Sequence, residues 1–327
     1  MAPPEQPPTP GEPGVSSPPW TRAVAQSVTT LPAGRDPEPE LAAAQAAFPM
    51  RMPAGWAHRA MPGDPLWRQA MPDGRERDAV PGFSADPLAE AAATVGPGLI
   101  RKHPDRILLL VTDRCAVNCR FCFRRHGVVA PPRSWEPALD YIAGEPGLRE
   151  VILSGGDPLM LSDGALARLA GRLGAIPHLR RLRIHTRMPV VVPERVTDAL
   201  TDWLERGPLQ PVLVIHVNHV AELDRPARAA LERLARRGIT LLHQGVLLGG
   251  VNDDAATLRV LLEELLRLGV LPYYLHLLDP VAGAAHFQVP EARAKAILTE
   301  LRASLPGYGV PRLVRELPGR GKVPLSG

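Results

Sequence analysis

Residues 106–126 read RILLLVTDRCAVNCRFCFRRH, an apolar run that leads directly into three closely spaced cysteines. The run of branched and apolar residues predicts a buried β-strand over 106–112. Cys115, Cys119 and Cys122 are the only cysteines of the chain. Such an odd, clustered set argues against a disulfide framework. The N-terminus lacks the basic start and apolar segment of a secretory signal, so we expect a reducing, cytoplasmic environment.

Five further β-rich runs follow this first strand, and amphipathic helical segments separate them. The strand candidates are 106–112, 150–154, 181–185, 212–216, 240–247 and 273–278. One helix is predicted over 226–237 with Gly238 as its stop, because apolar residues recur at helical spacing. Another is predicted over 254–268, with Asp253 as N-cap and Gly269 as stop. Strand–helix units repeated about every 30 residues predict an α/β fold with a parallel sheet, either a partial (β/α)6 barrel or a doubly wound sheet.

Polar residues stand where these strands end. They are Ser154, Gly155, Gly156, Asp157, His185, Thr186, Arg187, His216, Asn218, His219, His243, Gln244, His276 and Asp279. Helix caps and loop residues would explain some of them, but they do not require three histidine-bearing strand ends. Because the carboxyl ends of parallel strands meet at one edge, this pattern predicts a shared functional site.

Composition limits the other possibilities. The chain has 327 residues, of which 45% are hydrophobic, enough for a large core. The net charge of +4 is too small to indicate a nucleic-acid binder. No apolar run approaches the roughly 18 residues of a membrane span. We therefore expect neither a nucleic-acid nor a membrane partner.

The chain divides into four predicted segments. Residues 1–19 include eight prolines and few large apolar side chains, which predicts a disordered tail. Residues 20–95 mix Ala-rich stretches with Pro and Gly, which indicates an irregular helical extension. The barrel is expected over 96–305, and a separate C-terminal segment over 306–327.

Two kinds of metal centre are compatible with the cysteine loop. A structural zinc needs four ligands, and His126 could complete a Cys₃His set. Iron–sulfur clusters are held by thiolates, and three thiolates on a cubane leave one iron open to a small chelating molecule. The three-then-two spacing directly after a strand favours the iron–sulfur cluster.

The pattern Cys-x₃-Cys-x₂-Cys after the first strand, followed by Gly155-Gly156-Asp157 after the second, resembles the radical S-adenosylmethionine superfamily. That resemblance implies a partial (β/α)6 TIM-like barrel with a [4Fe–4S] cluster. It also implies S-adenosylmethionine as a cofactor, chelated by the open iron and cleaved after one-electron reduction to a 5′-deoxyadenosyl radical. A reductant such as flavodoxin or ferredoxin would supply the electron.

Further stretches narrow the resemblance to lysine 2,3-aminomutases, in particular to the short bacterial form that makes β-lysine for modifying elongation factor P. These are GDPLWRQAMP (63–72), PGFSADPLAE (81–90), CAVNCRFCFRRH (115–126), VILSGGDPLM (151–160), RLRIHTRMPVVVP (181–193), VNDDAATL (251–258), YYLHLLDPVAGAAHF (273–287) and PGRGK (318–322). The resemblance covers about residues 20 to 327. It implies an isomerase that also uses pyridoxal 5′-phosphate and acts on L-lysine.

The resemblance assigns roles to individual residues. Lys322, in a glycine-containing loop, would attach the pyridoxal phosphate. Arg106, with Lys102 and His103, would hold its phosphate. Arg124 would pair with the carboxylate of lysine, and Asp279 with Glu316 would pair with its ε-ammonium. The cluster and S-adenosylmethionine would lie against Cys115, Cys119, Cys122, Ser154, Gly155, Gly156, Asp157 and Gln244.

Other interpretations stay open at this point. Related sequences read Asn-Gln-Ser-Val-Leu-Leu-Arg where this chain has His243 to Gly249, which is compatible with a non-catalytic family member. An aminomutase acting on another amino acid is a second alternative. A zinc protein that binds RNA through its basic strip, residues 101–133, is a third. Because the chain stops soon after Lys322, we expect a monomer or a weak homodimer.

Overall fold

The computed structural model describes residues 18–31, 38–319 and 321–325. The disorder prediction for residues 1–19 therefore lies outside the described residues, except for Pro18 and Pro19. Pro19 begins the first helix, at a position where its missing N–H has no helical partner to lose. No helix within the described ranges is long and apolar enough to cross a membrane.

The described chain alternates strands and helices from residue 94 onward. The strands are β1 (Thr94–Gly96), β2 (Leu99–Ile100), β3 (Arg106–Thr112), β4 (Glu150–Gly155), β5 (Arg181–Thr186), β6 (Gln210–His216), β7 (Thr240–Leu247), β8 (Leu271–Leu277), β9 (Arg312–Glu316) and β10 (Lys322–Pro324). The α-helices are α1 (Pro19–Ala25), α2 (Pro39–Ala47), α3 (Ala54–Ala57), α4 (Pro65–Ala70), α5 (Glu136–Ala143), α6 (Asp163–Gly174), α7 (Met188–Val191), α8 (Asp198–Arg206), α9 (Arg225–Arg236), α10 (Ala255–Arg267) and α11 (Glu291–Ser304). Short 3₁₀ helices lie at Gly74–Arg77, Pro158–Met160, Pro193–Arg195, Val220–Glu222, Ala285–Phe287 and Gly307–Gly309.

All ten strands form one sheet, and their order in the sheet is their order in the chain. Strands β3 to β9 are parallel, while β1 and β2 at one end and β10 at the other end pair antiparallel with their neighbours. A doubly wound sheet would reverse its strand order at a switch point. The sequential order instead defines an open, partial (β/α)6 barrel, which confirms the predicted fold class.

Local sequence explains these elements. Strand β4 is buried along nearly its whole length, as expected for a parallel strand covered on both faces. Helix α9 buries the predicted apolar face, and Gly238 after it takes a φ of +70°. The predicted cap of α10 was wrong by one residue. Asp254, not Asp253, is the N-cap, and its carboxylate accepts a hydrogen bond from the backbone N–H of Thr257 at 2.8 Å.

The N-terminal extension is helical and irregular, as predicted, with helices of four to nine residues. Its large apolar side chains, among them Trp20, Met50 and Trp56, belong to the same core as the barrel strands. The extension therefore packs as part of the barrel wall. Residues 81–91, called the strap below, continue from it and lie across the end of β8. Ser84 there exchanges backbone hydrogen bonds of 2.9 Å with Pro280 and Ala282.

Candidate active site

One cavity of about 320 Å³ opens at the carboxyl ends of the parallel strands. Lys102 and His103 line it, and so do the thirteen other site residues expected from the sequence. These thirteen are Arg106, Cys115, Cys119, Cys122, Arg124, Ser154, Gly155, Gly156, Asp157, Gln244, Asp279, Glu316 and Lys322. The structure thus brings together residues separated by more than 200 positions in the chain.

Two glycines fix where the cysteine loop begins. Gly155 has a φ of +117°, and a Cβ on it would lie 2.3 Å from the carbonyl oxygen of Thr112. A Cβ on Gly156 would lie 2.3 Å from the carbonyl oxygen of Arg114. Both distances are too short for any side chain, because the turn after β4 packs directly on the backbone that enters the cysteine loop. The glycines therefore set the position of Cys115 relative to β4.

Asp157 connects this turn to the next strand. Its carboxylate accepts hydrogen bonds from Thr186 Oγ1 and Arg187 N, each at 2.7 Å, and from the backbone N–H groups of Leu159 and Met188. With four donors, the carboxylate is satisfied by the protein itself. Asp157 lines the cavity, and its contacts hold Arg187 in place.

Arg187 is a cavity residue that the sequence pattern placed at a strand end without a specific role. Its Nη1 donates to Cys119 Sγ at 2.8 Å, and its Nη2 donates to Glu222 at 2.8 Å. The guanidinium also lies over the ring of Trp56, 4.7 Å from its centroid. Arg187 therefore places a buried positive charge beside one of the three sulfurs.

The donor set fits an iron–sulfur cluster better than zinc. The ring of His126, the fourth ligand that zinc would need, contacts the carbonyl of Ala282 at 3.0 Å. Within the described residues, no group of three or more His, Cys, Asp or Glu side chains is arranged to hold a single metal ion. Burial raises the pKa of Cys122 to about 11 and that of Cys115 well above its usual range. Cluster binding would therefore release protons from these thiols.

A C-terminal hairpin forms the opposite wall of the cavity. In the antiparallel pair of β9 and β10, Lys322 stands directly opposite Glu316, so the two side chains share a face. Lys322 Nζ lies 4.9 Å from the centroid of the Tyr274 ring. Burial lowers the pKa of Lys322, and a lysine with a lowered pKa is the form that attacks a carbonyl carbon.

The hairpin also contacts Lys102 and His103, which lie just before β3 near the other end of the sheet. A Cβ on Gly321 would lie 2.3 Å from the imidazole of His103, so the hairpin backbone packs directly on that ring. Lys102 Nζ donates to Glu316 Oε1 at 2.8 Å and to the carbonyl of Leu88 at 3.2 Å. Lys102 was expected beside a phosphate, and the structure pairs it with Glu316 instead.

Asp279 is the second carboxylate at this end of the cavity. Burial, together with the nearby charge of Glu316, raises its pKa to about 7, and Lys322 and Lys102 oppose that shift. A carboxyl group with this pKa is close to half protonated at neutral pH. A cation placed beside it would drive it to the charged form.

Arg106 and Arg124, which were expected to face a phosphate and a carboxylate, both line the cavity. Arg106 has only a loose contact with Asp105, at 3.3 Å, which leaves most of its donors available to an anion. Arg124 is held by Glu90, a residue that the sequence analysis did not select. The one available signal was the position of Glu90 at the end of the stretch PGFSADPLAE.

Several cations of the basic strip, residues 101–133, are paired inside the protein. Arg120 and Arg125 both contact the buried carboxylate of Glu76, and Arg101 contacts Glu145 at 2.8 Å. The excess charge of the strip is therefore partly neutralised by partners far away in the sequence. The cations of the strip that line the cavity are Lys102, Arg106 and Arg124, and of these Lys102 and Arg124 are also paired, with Glu316 and Glu90.

Three of the histidines predicted at the strand ends belong to the cavity wall, although the sequence analysis assigned them no individual role. His185, His216 and His276 line the cavity, and burial lowers the pKa of each of them well below the usual value. They are therefore neutral at physiological pH and add hydrogen-bonding groups without charge.

The departures at residues 243–249 fall mostly away from the cavity. His243 is buried, and its Nε2 contacts the carbonyl of Val217 at 2.8 Å. A Cβ on Gly245 would lie 3.2 Å from that Nε2. The missing side chain at 245 thus makes room for the larger ring at 243, and Gln244 between them keeps its place in the cavity wall. The departures at 243 and 245 therefore compensate each other in packing.

The sequence of the chain was compared with those of known proteins, and the matches agree with the site described above. The model of the radical SAM superfamily matches residues 109–261. The chain is 48% identical to the L-lysine 2,3-aminomutase of Escherichia coli over 89% of this chain and 88% of that protein. It is 46% identical to the Haemophilus influenzae protein of the same name, over 85% and 84% of the two chains. It is 38% identical to the L-lysine 2,3-aminomutase of Clostridium subterminale, over 80% of this chain and 64% of that one.

A solved radical SAM methyltransferase from Sphaerobacter thermophilus is similar with a TM-score of 0.48, at 22% identity, over 66% of this chain and 68% of that chain.

The family model and the identities of 46–48% over more than four fifths of both chains place the chain in the radical SAM superfamily of enzymes. Within it, the sequence identities place the chain in the lysine 2,3-aminomutase family, as the motifs predicted. Family membership makes the chain an isomerase that uses a [4Fe–4S] cluster, S-adenosylmethionine and pyridoxal phosphate.

Proposed function

We propose that the protein converts L-lysine to β-lysine by moving the amino group from Cα to Cβ. The observation that carries this proposal is a single cavity that combines the cysteine triad, a lysine with a lowered pKa, and groups of both charges. The relatives named above act, by their names, on L-lysine. An isomerisation of this kind needs no net oxidant or reductant, so the cavity needs only to hold its reactants and exclude water.

Each group of residues would hold one reactant. Cys115, Cys119 and Cys122 would hold the cluster, and the turn around Gly155 would lie against S-adenosylmethionine, with Ser154, Gly156, Asp157 and Gln244. Lys322 would attach the pyridoxal phosphate, and Arg106 would hold its phosphate. When bound, these cofactors supply the radical that removes a hydrogen atom and the carrier for the migrating amino group.

Substrate selection would depend on charge at both ends of lysine. Arg124 would bind the α-carboxylate. Asp279 and Glu316 would bind the ε-ammonium, which needs anionic partners in a buried site. A second carboxylate in place of the ammonium, as in glutamate, would meet two like charges and be rejected.

The test is anaerobic reconstitution with iron, sulfide and pyridoxal phosphate, followed by incubation with lysine, S-adenosylmethionine and dithionite. We expect β-lysine and 5′-deoxyadenosine, measured by chromatography and mass spectrometry. The variant Lys322→Ala should keep its iron and sulfide but lose bound pyridoxal phosphate and turnover. Lys295→Ala is the matched control, because Lys295 only pairs with Glu291 on an exposed helix surface. Turnover by Lys322→Ala at the normal rate would refute the assignment.

The same preparation separates the alternatives. Assays with arginine, ornithine and glutamate show whether another amino acid is the better substrate. About four iron and matching sulfide per chain are expected for the cluster. One zinc without iron would instead support the zinc-binding alternative.

The proposal also covers the use of the product, the electron donor, the cellular location and the oligomeric state. The β-lysine would serve to modify elongation factor P. A flavodoxin or ferredoxin would supply the electron. The protein would act in the cytoplasm, in keeping with its three free cysteines, and it would be a monomer or a weak homodimer. A tight tetramer in a sedimentation experiment would contradict the last point.

A further inference from the structure

The strap, residues 81–91, carries one carboxylate into the cavity. Glu90 is 6% exposed and lines the cavity wall. The carboxylate of Asp86 accepts hydrogen bonds from the backbone N–H of Glu90 at 2.9 Å and of Ala91 at 3.1 Å. Ala89 has a φ of +49°, and it is the one non-glycine residue with positive φ in the described ranges. Such a conformation costs free energy and persists only where surrounding contacts impose it.

The far end of the strap is fixed as well. Ser84 is bonded through its backbone to Pro280 and Ala282, which follow Asp279. Leu88 is buried, and its carbonyl accepts a hydrogen bond from Lys102. The chain before Glu90 is thus held to the barrel at two points, Ser84 and Leu88, so the position of its carboxylate does not depend on a flexible loop.

The carboxylate of Glu90 forms a bidentate ion pair with one edge of the Arg124 guanidinium. Arg124 Nε donates to Oε2 at 2.8 Å, and Nη2 donates to Oε1 at 2.7 Å. Nη1 donates to Ser154 Oγ at 2.9 Å and lies 3.4 Å from the carbonyl oxygen of Gly155. A guanidinium has five N–H groups. The bidentate contact uses the Nε side, which leaves one N–H of Nη2 unused, and the long 3.4 Å contact of Nη1 with Gly155 is the one that a second carboxylate would displace.

We propose that Glu90 is a positioning residue that clamps the Nε edge of Arg124 and so presents its Nη end to the α-carboxylate of the substrate. This inference rests on the proposed function and adds a specificity-determining residue to it. Arg124 lies two positions after Cys122, and without a partner its long side chain is free to turn away from the substrate. Glu90 removes that freedom before the substrate arrives, which is the general advantage of a preorganised site.

The test compares two ligands that differ only at the carboxylate. Binding of L-lysine and of 1,5-diaminopentane, which lacks the carboxylate, is measured by equilibrium dialysis on reconstituted enzyme without reductant. For Glu90→Gln and Glu90→Ala, we expect the Kd of lysine to rise about tenfold, as for the loss of a charge-assisted contact. The Kd of diaminopentane should change less than about twofold, because it makes no contact with Arg124. Glu90→Asp should recover part of the lysine affinity.

Two controls separate positioning from folding. Asp78→Asn, a carboxylate on the exposed surface before the strap, should leave both affinities unchanged. In an Arg124→Ala background, Glu90→Gln should cause no further loss of lysine affinity. Iron, sulfide and pyridoxal phosphate contents verify that each variant is loaded.

Three results would overturn the inference. Equal losses for both ligands would mean that Glu90 only supports the fold. Tighter binding of lysine would mean that Glu90 competes with the substrate for Arg124. Unchanged lysine binding would mean that Arg124 needs no clamp. Failure of the proposed function is a different outcome, in which the unmodified enzyme itself neither binds lysine nor forms β-lysine.

Discussion

The two walls of the cavity are built in different ways. The cysteine side, residues 106–126 with the turn at 154–157, is made of adjacent parallel strands and a loop locked by backbone contacts. The hairpin side, residues 312–325 with the strap and residues 101–103, is made of segments from the two ends of the sheet that meet through side chains. The cysteine side depends on the absence of side chains at two glycines that face backbone atoms, whereas the hairpin side depends on charged pairs together with one glycine, Gly321, that faces the His103 ring. The two sides should therefore fail in different ways when they are mutated.

The largest effect is expected on the cysteine side. Gly156→Ala places a Cβ against the carbonyl of Arg114, so the turn must move and the 2.8 Å hydrogen bond from Asp157 N to Arg114 O is lost. We expect the free energy of unfolding to fall by about 4 kcal/mol and iron loading to be lost. Thermal unfolding and iron analysis measure both. The control Gly171→Ala, in open space on α6, should stabilise the protein by roughly 0.5–1 kcal/mol. Normal iron content in Gly156→Ala would contradict this account of the turn.

The hairpin side should respond to charge rather than to volume. Lys102→Met removes the partner of Glu316 from a site where the lysine side chain is 8% exposed and the glutamate 19%. We expect a loss of about 2 kcal/mol in the free energy of unfolding, less than for a fully buried pair. The double variant Lys102→Met with Glu316→Gln should recover most of that loss in denaturant unfolding. No recovery would show that packing, not the unpaired charge, causes the loss.

A smaller effect on stability is expected on β7, where the missing side chain at Gly245 makes room for His243. Gly245→Ser alone would place its Cβ 2.9 Å from the carbonyl oxygen of Val217 and 3.2 Å from His243 Nε2. We expect it to destabilise the protein by about 1.5 kcal/mol through overpacking. Combining it with His243→Asn should recover part of that free energy, because the smaller side chain at 243 removes the contact with Nε2 but leaves the contact with the Val217 carbonyl. Purely additive effects in a double-mutant cycle would exclude the coupling.

The smallest expected effect is a pH dependence of lysine affinity, which comes from Asp279 at the hairpin side. Because the pKa of Asp279 is about 7 without substrate, the carboxyl is mostly neutral at pH 6 and mostly charged at pH 8. Lysine keeps its ε-ammonium charged over that range, so its affinity should rise about tenfold from pH 6 to pH 8. The groups that face Asp279 are Glu316, Lys322, Lys102 and Glu90. Asp279→Asn should bind lysine weakly and with little pH dependence, measured as Kd by equilibrium dialysis. A pH dependence that survives in this variant would assign it to another group.

Much of the cysteine side was predictable from the sequence, because it depends on local signals. The strand over 106–112 was predicted with the bounds that β3 has in the structure, and the other parallel strands within two residues at each end. A short cysteine spacing and a Gly-Gly turn are readable without knowing what they touch. The one-residue error at Asp253 arose because two neighbouring aspartates are equally good caps and only the backbone geometry selects Asp254.

The sequence by itself determined the parallel α/β architecture, the cysteine loop and the family, since periodic burial and fixed spacings are properties of short segments. The strand order that separates a partial barrel from a doubly wound sheet was observed only in the structure. The partners of the charged residues were decided only by the tertiary structure. Arg124 and Glu90 are 34 positions apart, and Lys102 and Glu316 are 214 positions apart. No local pattern links such pairs, because they meet only when the two ends of the open sheet approach each other around one cavity.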